Sequence, residues 1–415
     1  MRIAIISSLF PPFAIGGAEQ VASQLALALH RLGHHIDVVS TCRRDQLGSG
    51  RYRTDEWEGI RVWRIAPMNL YWRFDKEDGH PNRLVRAGWH AVDLWNPSIL
   101  GPLRQVLDQV QPDVINTHNI DGFSPAVWKV ARNRTGAVAH TLHDYHLVCP
   151  RATMQRRDGT ICDELCRICR WYARYHRLFQ RYVRVLVAPT SAIAGLHRET
   201  GWTEPAIEII RNGVDVDPIS LPDIPPSDPL RVLFMSRLER EKGCEMLLAV
   251  MSSLRECADV QFHVAGRGSY EGRFAELARR SANVIWHGFV TGAQKFELLS
   301  MSDVFLQISQ CRENAPLSLL EAKKCGLFVV GTRVGGIPED IDSAEAGQLI
   351  PPGDTGQLAR TLRTLAETRP ELREGRPQRR QRNTGYGTRE MAEAYLKVFQ
   401  SIFTPPRPAI GGRLQ

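Results

Sequence analysis

Two stretches of this chain open in the same way, each with a short apolar strand, a glycine-bearing turn and an amphipathic helix. The first sets a strand over residues 3–7 before Gly16-Gly17-Ala18-Glu19, a helix over 20–31 and a strand over 36–40. The second sets a strand over 230–235 before Arg237, Lys242-Gly243, a helix reaching Leu254 and a strand over 260–265. Further apolar runs at 114–116, 138–141, 185–188, 304–308 and 328–331 alternate with helical patterns. Runs that are apolar throughout belong to strands covered on both faces, and alternation with helices makes their pairing parallel. The fold class expected is α/β, with two doubly wound, Rossmann-like domains facing across a cleft. A proline-rich stretch separates them. The expected boundaries are a first domain over 1–216, a linker over 217–229 and a second domain over 230–387. A last helix over 388–403 crosses back to the first domain, and 404–415 is a loose tail.

A length of 415 residues exceeds one ordinary core and suits two domains. No run is long and apolar enough to span a bilayer. The apolar run over 2–10 is too short for a signal peptide and meets Pro11-Pro12 without a small-residue cleavage site, so it reads as a buried strand. Nine cysteines without a secretion signal point to a reducing cytoplasm, where clustered thiols suggest metal before disulfide. The net charge of +8 resides in the first 190 residues, which hold 25 Lys and Arg against 17 Asp and Glu; the remainder is balanced at 28 and 28. Within that half, residues 151–184 contain nine Arg and three acids, interleaved with Trp171, Tyr172, Tyr175, Phe179 and Tyr182. Such a face suits an anionic membrane surface, an acidic acceptor or nucleic acid, and its plain alternative is a solvated helix face. No nucleic-acid-binding module accompanies it, so no nucleic-acid partner is expected.

Residues 312–326 place two carboxylates, Glu313 and Glu321, eight residues apart around a helix start. Pro316 suits the first helical position and Gly326 the left-handed C-cap. The free amides of Leu317 and Ser318 then point out of the helix N-terminus, where the macrodipole and unpaired donors favour an anion such as a phosphorylated ligand. Arg237 and Lys242 follow the first strand of the second domain and add positive charge. Gly16 and Gly17 make a tight turn that lets backbone approach a ligand closely. His118 and the pair His143-Asp144 each follow a strand end, on the side where ligands bind such sheets.

Taken together, Phe10-Pro11-Pro12 with Gly16-Gly17-Ala18-Glu19, Asn212-Gly213-Val214-Asp215, Ser236-Arg237-Leu238 with Glu241-Lys242-Gly243, Gly266-Arg267-Gly268, the Glu313 and Glu321 pair, and Gly335-Gly336-Ile337-Pro338-Glu339 resemble glycosyltransferase family 4 over nearly the whole chain. The resemblance implies the GT-B arrangement and sugar transfer from a nucleoside diphosphate donor to a hydroxyl acceptor, with retention of anomeric configuration and no catalytic metal. It implies that Arg237 and Lys242 contact the diphosphate, where charge develops as the sugar bond breaks. Gly16, Gly17, Asn314, Leu317 and Ser318 complete the donor site. Glu313 accepts from sugar hydroxyls and Glu321 from the ribose. His118 resembles the family's histidine near the transferred sugar and is assigned to transition-state positioning, while His143 and Asp144 face the acceptor. Ser236 stands where the family shows glycine. Asp215-Val216-Asp217 is not read as a metal motif, and Gly266-Arg267-Gly268 lacks the third glycine of a dinucleotide fingerprint. The acceptor expected is a glycan or lipid-linked glycan precursor, with the protein peripheral at the inner face of a membrane. A non-catalytic partner of the same fold and a sugar-nucleotide epimerase remain as alternatives.

Cys149, Cys162, Cys166 and Cys169 follow His143-Asp144-Tyr145-His146 and supply enough ligands for one tetrahedral structural zinc; four unrelated thiols are the alternative.

Overall fold

The computed structural model describes residues 1–13, 16–74, 82–156, 158–216, 228–383 and 385–403. Most of the proline-rich stretch (217–227) and the tail over 404–415 lie outside the described residues. The first sheet contains β1 (Arg2–Ser7), β2 (His35–Thr41), β3 (Tyr52–Trp57), β4 (Ile60–Ile65), β5 (Val114–Thr117), β6 (Ala137–Thr141), β7 (Val185–Ala188) and β8 (Ala206–Ile209), in the order β3-β4-β2-β1-β5-β6-β7-β8. The second contains β9 (Leu230–Met235), β10 (Val260–Ala265), β11 (Val284–Trp286), β12 (Val304–Gln307), β13 (Phe328–Thr332) and β14 (Gly347–Ile350), in the order β11-β10-β9-β12-β13-β14. Every neighbouring pair is parallel except the β3–β4 hairpin.

Burial explains this arrangement. The central strands β5 and β12 are buried at every residue, as helices on both faces require, whereas the edge strands β3 and β8 carry exposed polar residues that discourage further pairing. Strand order reverses between β1 and β5 in one sheet and between β9 and β12 in the other. At such switch points the flanking loops diverge and leave a crevice beyond the carboxyl ends of the strands. The loops leaving these four strands carry Gly16-Gly17, His118, Arg237 with Lys242, and Glu313.

Local boundaries differ from the periodic reading for identifiable reasons. The first helix is Gly17–Arg31, three residues longer at its start, because the Glu19 carboxylate accepts from Gly16 N at 2.8 Å and caps the glycines into the helix. Pro316 is the N-cap of helix Leu317–Lys324 rather than its first residue, since its ψ of 119° is extended. Helix Thr388–Ile402 lies against helix Gly17–Arg31, with Met391, Ala392, Tyr395 and Phe399 in the same core as Ile5, Leu25 and Val38 of the first domain. Asn212-Gly213-Val214-Asp215 seats its start: Asp215 accepts from Thr388 N at 2.9 Å, and a Cβ on Gly213 would come within 2.1 Å of Gly387 O. Among the described residues no helix is long and apolar enough to cross a membrane.

Candidate active site

On the second domain the Lys242 ammonium is paired with Glu313 Oε1, which also accepts from Ser309 Oγ at 2.6 Å. Both side chains are about seven-eighths buried, at 15% and 14% exposure. Burial pushes the Glu313 carboxyl up, but Lys242, Ser309 and Arg237 pull it down further, so it lies below the ordinary value and is ionised at neutral pH. Burial lowers Lys242, yet Glu313 and Cys311 together raise it more, and it stays charged. Arg237 is more than half exposed and pairs loosely with Glu241 at 3.6 Å. Glu321 lies buried on helix Leu317–Lys324; burial raises its carboxyl, against the pull of Lys295 Nζ at 2.6 Å from its Oε1. The turn at 335–336 fits against the loop that carries Glu313. Gly335 adopts φ +57°, and a Cβ there would lie 2.0 Å from Glu313 O.

The first domain closes over these groups. A Cβ on Gly17 would find Leu317 Cδ1 as a nearest neighbour, at 3.9 Å, so the glycine turn faces the helix start across the cleft. Asn314 Nδ2 donates to His143 O at 2.5 Å, and Asn314 Oδ1 is buried without a partner among the described residues. Glu339 accepts from Ser191 N at 2.9 Å and Ala192 N at 2.7 Å, capping helix Ser191–Glu199 of the opposite domain. His118 is 1% exposed, and both ring nitrogens are engaged, Nε2 with Asn116 Nδ2 at 2.9 Å and Nδ1 with His143 Nε2 at 2.7 Å. Burial, then His143 and His140, hold it well below the ordinary imidazole value, so it is neutral. Burial lowers His143 to about 4 and raises Asp144 to about 6. His118 and His143 line one small recess together with Asp144 and His146. A Thr141–Asn116 bond of 3.3 Å and a Thr141–Tyr395 contact of 3.2 Å carry the polar chain back to the C-terminal helix.

Comparison with known proteins shows the family and the fold. Residues 15–218 match the model of Glycosyltransferase Family 4, and residues 229–368 match that of Glycosyl transferases group 1. The chain is a family 4-type glycosyltransferase. An uncharacterized 42.6 kDa protein in the cps region of Klebsiella pneumoniae is 26% identical over 342 residues, covering 82% of this chain and 87% of that one. In fold, the transferase is similar to sucrose-phosphate synthase from Thermosynechococcus elongatus, with a TM-score of 0.74 at 17% identity over 97% of this chain and 99% of the other. It is also similar to Anabaena HepE in complex with UDP, with a TM-score of 0.68 at 17% identity over 97% and 100%. These are structures of the GT-B fold.

Other clusters in the transferase lie beside the cleft or away from it. The neighbouring thiols of Cys149, Cys166 and Cys169 perturb one another: Cys169 holds Cys149 down to about 6, and Cys149 and Cys166 raise Cys169. Cys162 packs partly buried on the same core, and all nine cysteines are free thiols. Among the described residues, the group of three ligand-type side chains with atoms within 4.8 Å of one another is instead Asp93, Asp121 and His146. Arg73 Nη1 already pairs with Asp121 there at 2.6 Å, and Gly122 N donates to Asp93 at 2.8 Å. A recess of about 490 Å³ is lined by Phe328, Leu365, Leu372 and Arg379, none of them a candidate site residue. Lys295, Ser309 and Asn116 were not legible as site residues. A single Lys, Ser or Asn outside any motif has no spacing signal, and only folding brings each to its partner.

Proposed function

We propose that this glycosyltransferase moves a hexose from a nucleoside diphosphate sugar to a hydroxyl of a glycan or lipid-linked glycan precursor, with retention and without a catalytic metal, at the inner face of a membrane. The observation that carries the donor reading is the buried Lys242–Glu313 pair at the mouth of the second switch point, with the Leu317 helix start and Gly16-Gly17 beside it. A diphosphate there would take Lys242 from Glu313, and Arg237 and the amides of Leu317 and Ser318 would share its charge. Released from the ammonium, Glu313 would accept from sugar hydroxyls. Neutral His118, fixed by Asn116 and His143, suits positioning of the sugar rather than covalent attack. HepE has been solved with UDP, which makes uridine diphosphate sugars the first donors to test.

The test is thermal stabilisation by a panel of nucleotide sugars, followed by slow hydrolysis of the best ligand and the anomeric configuration of the product by NMR. No stabilisation by any nucleotide sugar would sink the proposal. Adding Mg2+ or Mn2+ to EDTA-treated protein should leave donor hydrolysis unchanged, and a strict requirement for either ion would show the phosphate site to be misread.

Lys295 offers a sharper check of the ribose contact. It holds Glu321 Oε1, and the other oxygen has no protein partner among the described residues, which leaves it for a ribose hydroxyl. Lys295→Met should weaken UDP binding about tenfold, about 1.4 kcal/mol, and weaken 2′-deoxy-UDP much less. Equal losses for the two nucleotides in calorimetry would mean that Lys295 acts only on the fold.

A further inference from the structure

Helix Arg167–Arg177 is buried on one side only. Cys169, Tyr172, Ala173 and His176 turn inward onto the first-domain core or its polar rim. At 100° per residue the opposite side divides into two adjoining rows. One row is apolar: Ile168 is 70% exposed, Trp171 58% and Leu178, the C-cap, 61%, with Tyr175 half-buried between them and stacked on Trp171 at 5.8 Å. The other row is Arg167, Arg170 and Arg174, all exposed, and none pairs with a carboxylate among the described residues. No acid occurs between Glu164 and Glu199.

The surface continues onto a second element. Tyr175 Oη donates to Leu94 O at 2.9 Å, which fixes the helix beside the end of helix Arg83–Leu94. That helix exposes Arg83, Arg86 and Leu84, the last at 82%, and its one carboxylate, Asp93, is buried. Leu70, 58% exposed, packs on it at Gly88. An interior element would hide these apolar groups, and a merely solvated helix face would not carry Trp, Ile and Leu in register. Large apolar tips beside long cationic side chains match the boundary between acyl chains and anionic headgroups, where arginine stems lie along apolar surface and their heads reach phosphate.

We infer that the outer faces of these two helices form a docking surface for an anionic lipid bilayer. The placement has a consequence for the acceptor. Tyr172 Oη, on the inward side of the same helix, lies 3.4 Å from His146 Nε2, two residues beyond Asp144, so the docking helix packs on the segment that carries the acceptor-side candidates. The inference deepens the acceptor part of the proposed function and rests on it only there. Vesicle binding is measured without donor or acceptor, so its failure would leave the transfer reaction standing.

The experiment is sedimentation of the full chain with vesicles of phosphatidylcholine alone and of phosphatidylcholine with phosphatidylglycerol. Binding should require the anionic lipid and fall steeply with salt. The triple variant Arg167→Gln, Arg170→Gln, Arg174→Gln should partition ~100-fold more weakly, at about fivefold per arginine. Trp171→Ala with Leu178→Ser should lose binding at low salt as well, because the apolar row inserts. These positions are exposed, so circular dichroism of the variants should match the parent. Equal sedimentation with neutral and anionic vesicles, unchanged binding by the triple variant, or binding of duplex DNA in place of vesicles would each overturn the inference.

Discussion

Glu313→Gln should lower kcat about a hundredfold while leaving the affinity for UDP unchanged or higher; Lys242→Ala should lose both turnover and affinity. In the structure Lys242 and Glu313 neutralise one another, so a diphosphate must displace the carboxylate before it can bind the ammonium. The amide variant removes that competition and makes nucleotide binding easier. On the proposed reading it also removes the carboxylate that would take the sugar hydroxyls, and the loss should appear in the bond-breaking step. A hundredfold corresponds to about 2.7 kcal/mol of transition-state stabilisation, ordinary for one electrostatic contact in a dry site. Glu313→Gln leaves a buried ammonium facing a neutral amide, so a stability loss of about 1–3 kcal/mol should accompany it until nucleotide binds. Kinetics across donor concentration separate the two terms, and circular dichroism separates both from unfolding. If Glu313→Gln weakens UDP binding as much as it slows turnover, the partner-exchange account fails.

The second large effect concerns the cysteines. We propose that Cys149, Cys162, Cys166 and Cys169 hold one structural zinc. The fit is partial in this structure. The thiols of Cys149, Cys166 and Cys169 perturb one another, the Cys162 side chain packs on the core, and the four do not form one compact ligand set. The chain they would fix is one that spans the cleft. Gln155 Nε2 donates to Gln310 O at 3.0 Å and Arg312 Nη2 donates to Cys162 O at 3.2 Å, so this loop touches the residues flanking Glu313. Zinc would draw the thiolates together and secure the loop at its foot. Protein purified without added metal should contain about one zinc per chain by elemental analysis. The Cys166→Ser, Cys169→Ser double variant should lose it, together with several degrees of Tm. Metal-free parent protein with the same Tm as the variant would reduce the four residues to ordinary thiols.

The sequence alone determined much of the architecture, because the relevant signals are local. Apolar runs too short for helices, alternating with amphipathic segments, define parallel strands wherever they occur, and β1, β5, β9 and β12 lie where the runs predict. Gly326 and the two glutamates were legible for the same reason: a left-handed C-cap, a helix start or a fixed spacing is written within a few residues. The edge hairpin β3–β4 was not read, since β3 is mostly polar and Arg61 and Arg64 interrupt the apolar run of β4.

What only the tertiary structure decided are pairings between distant segments. Lys242 and Glu313 are 71 residues apart, Lys295 and Glu321 26, Asn314 and His143 171, and Tyr395 and Thr141 254. The sequence offered His118 and His143 separately, and the structure joins them ring to ring, His118 Nδ1 lying 2.7 Å from His143 Nε2. Such outcomes depend on which loops two sheets bring to a common face, and on how burial and opposing charge then divide each proton. Strand order sets the first and the low dielectric of the closed cleft sets the second, and neither is a property of any single stretch of chain.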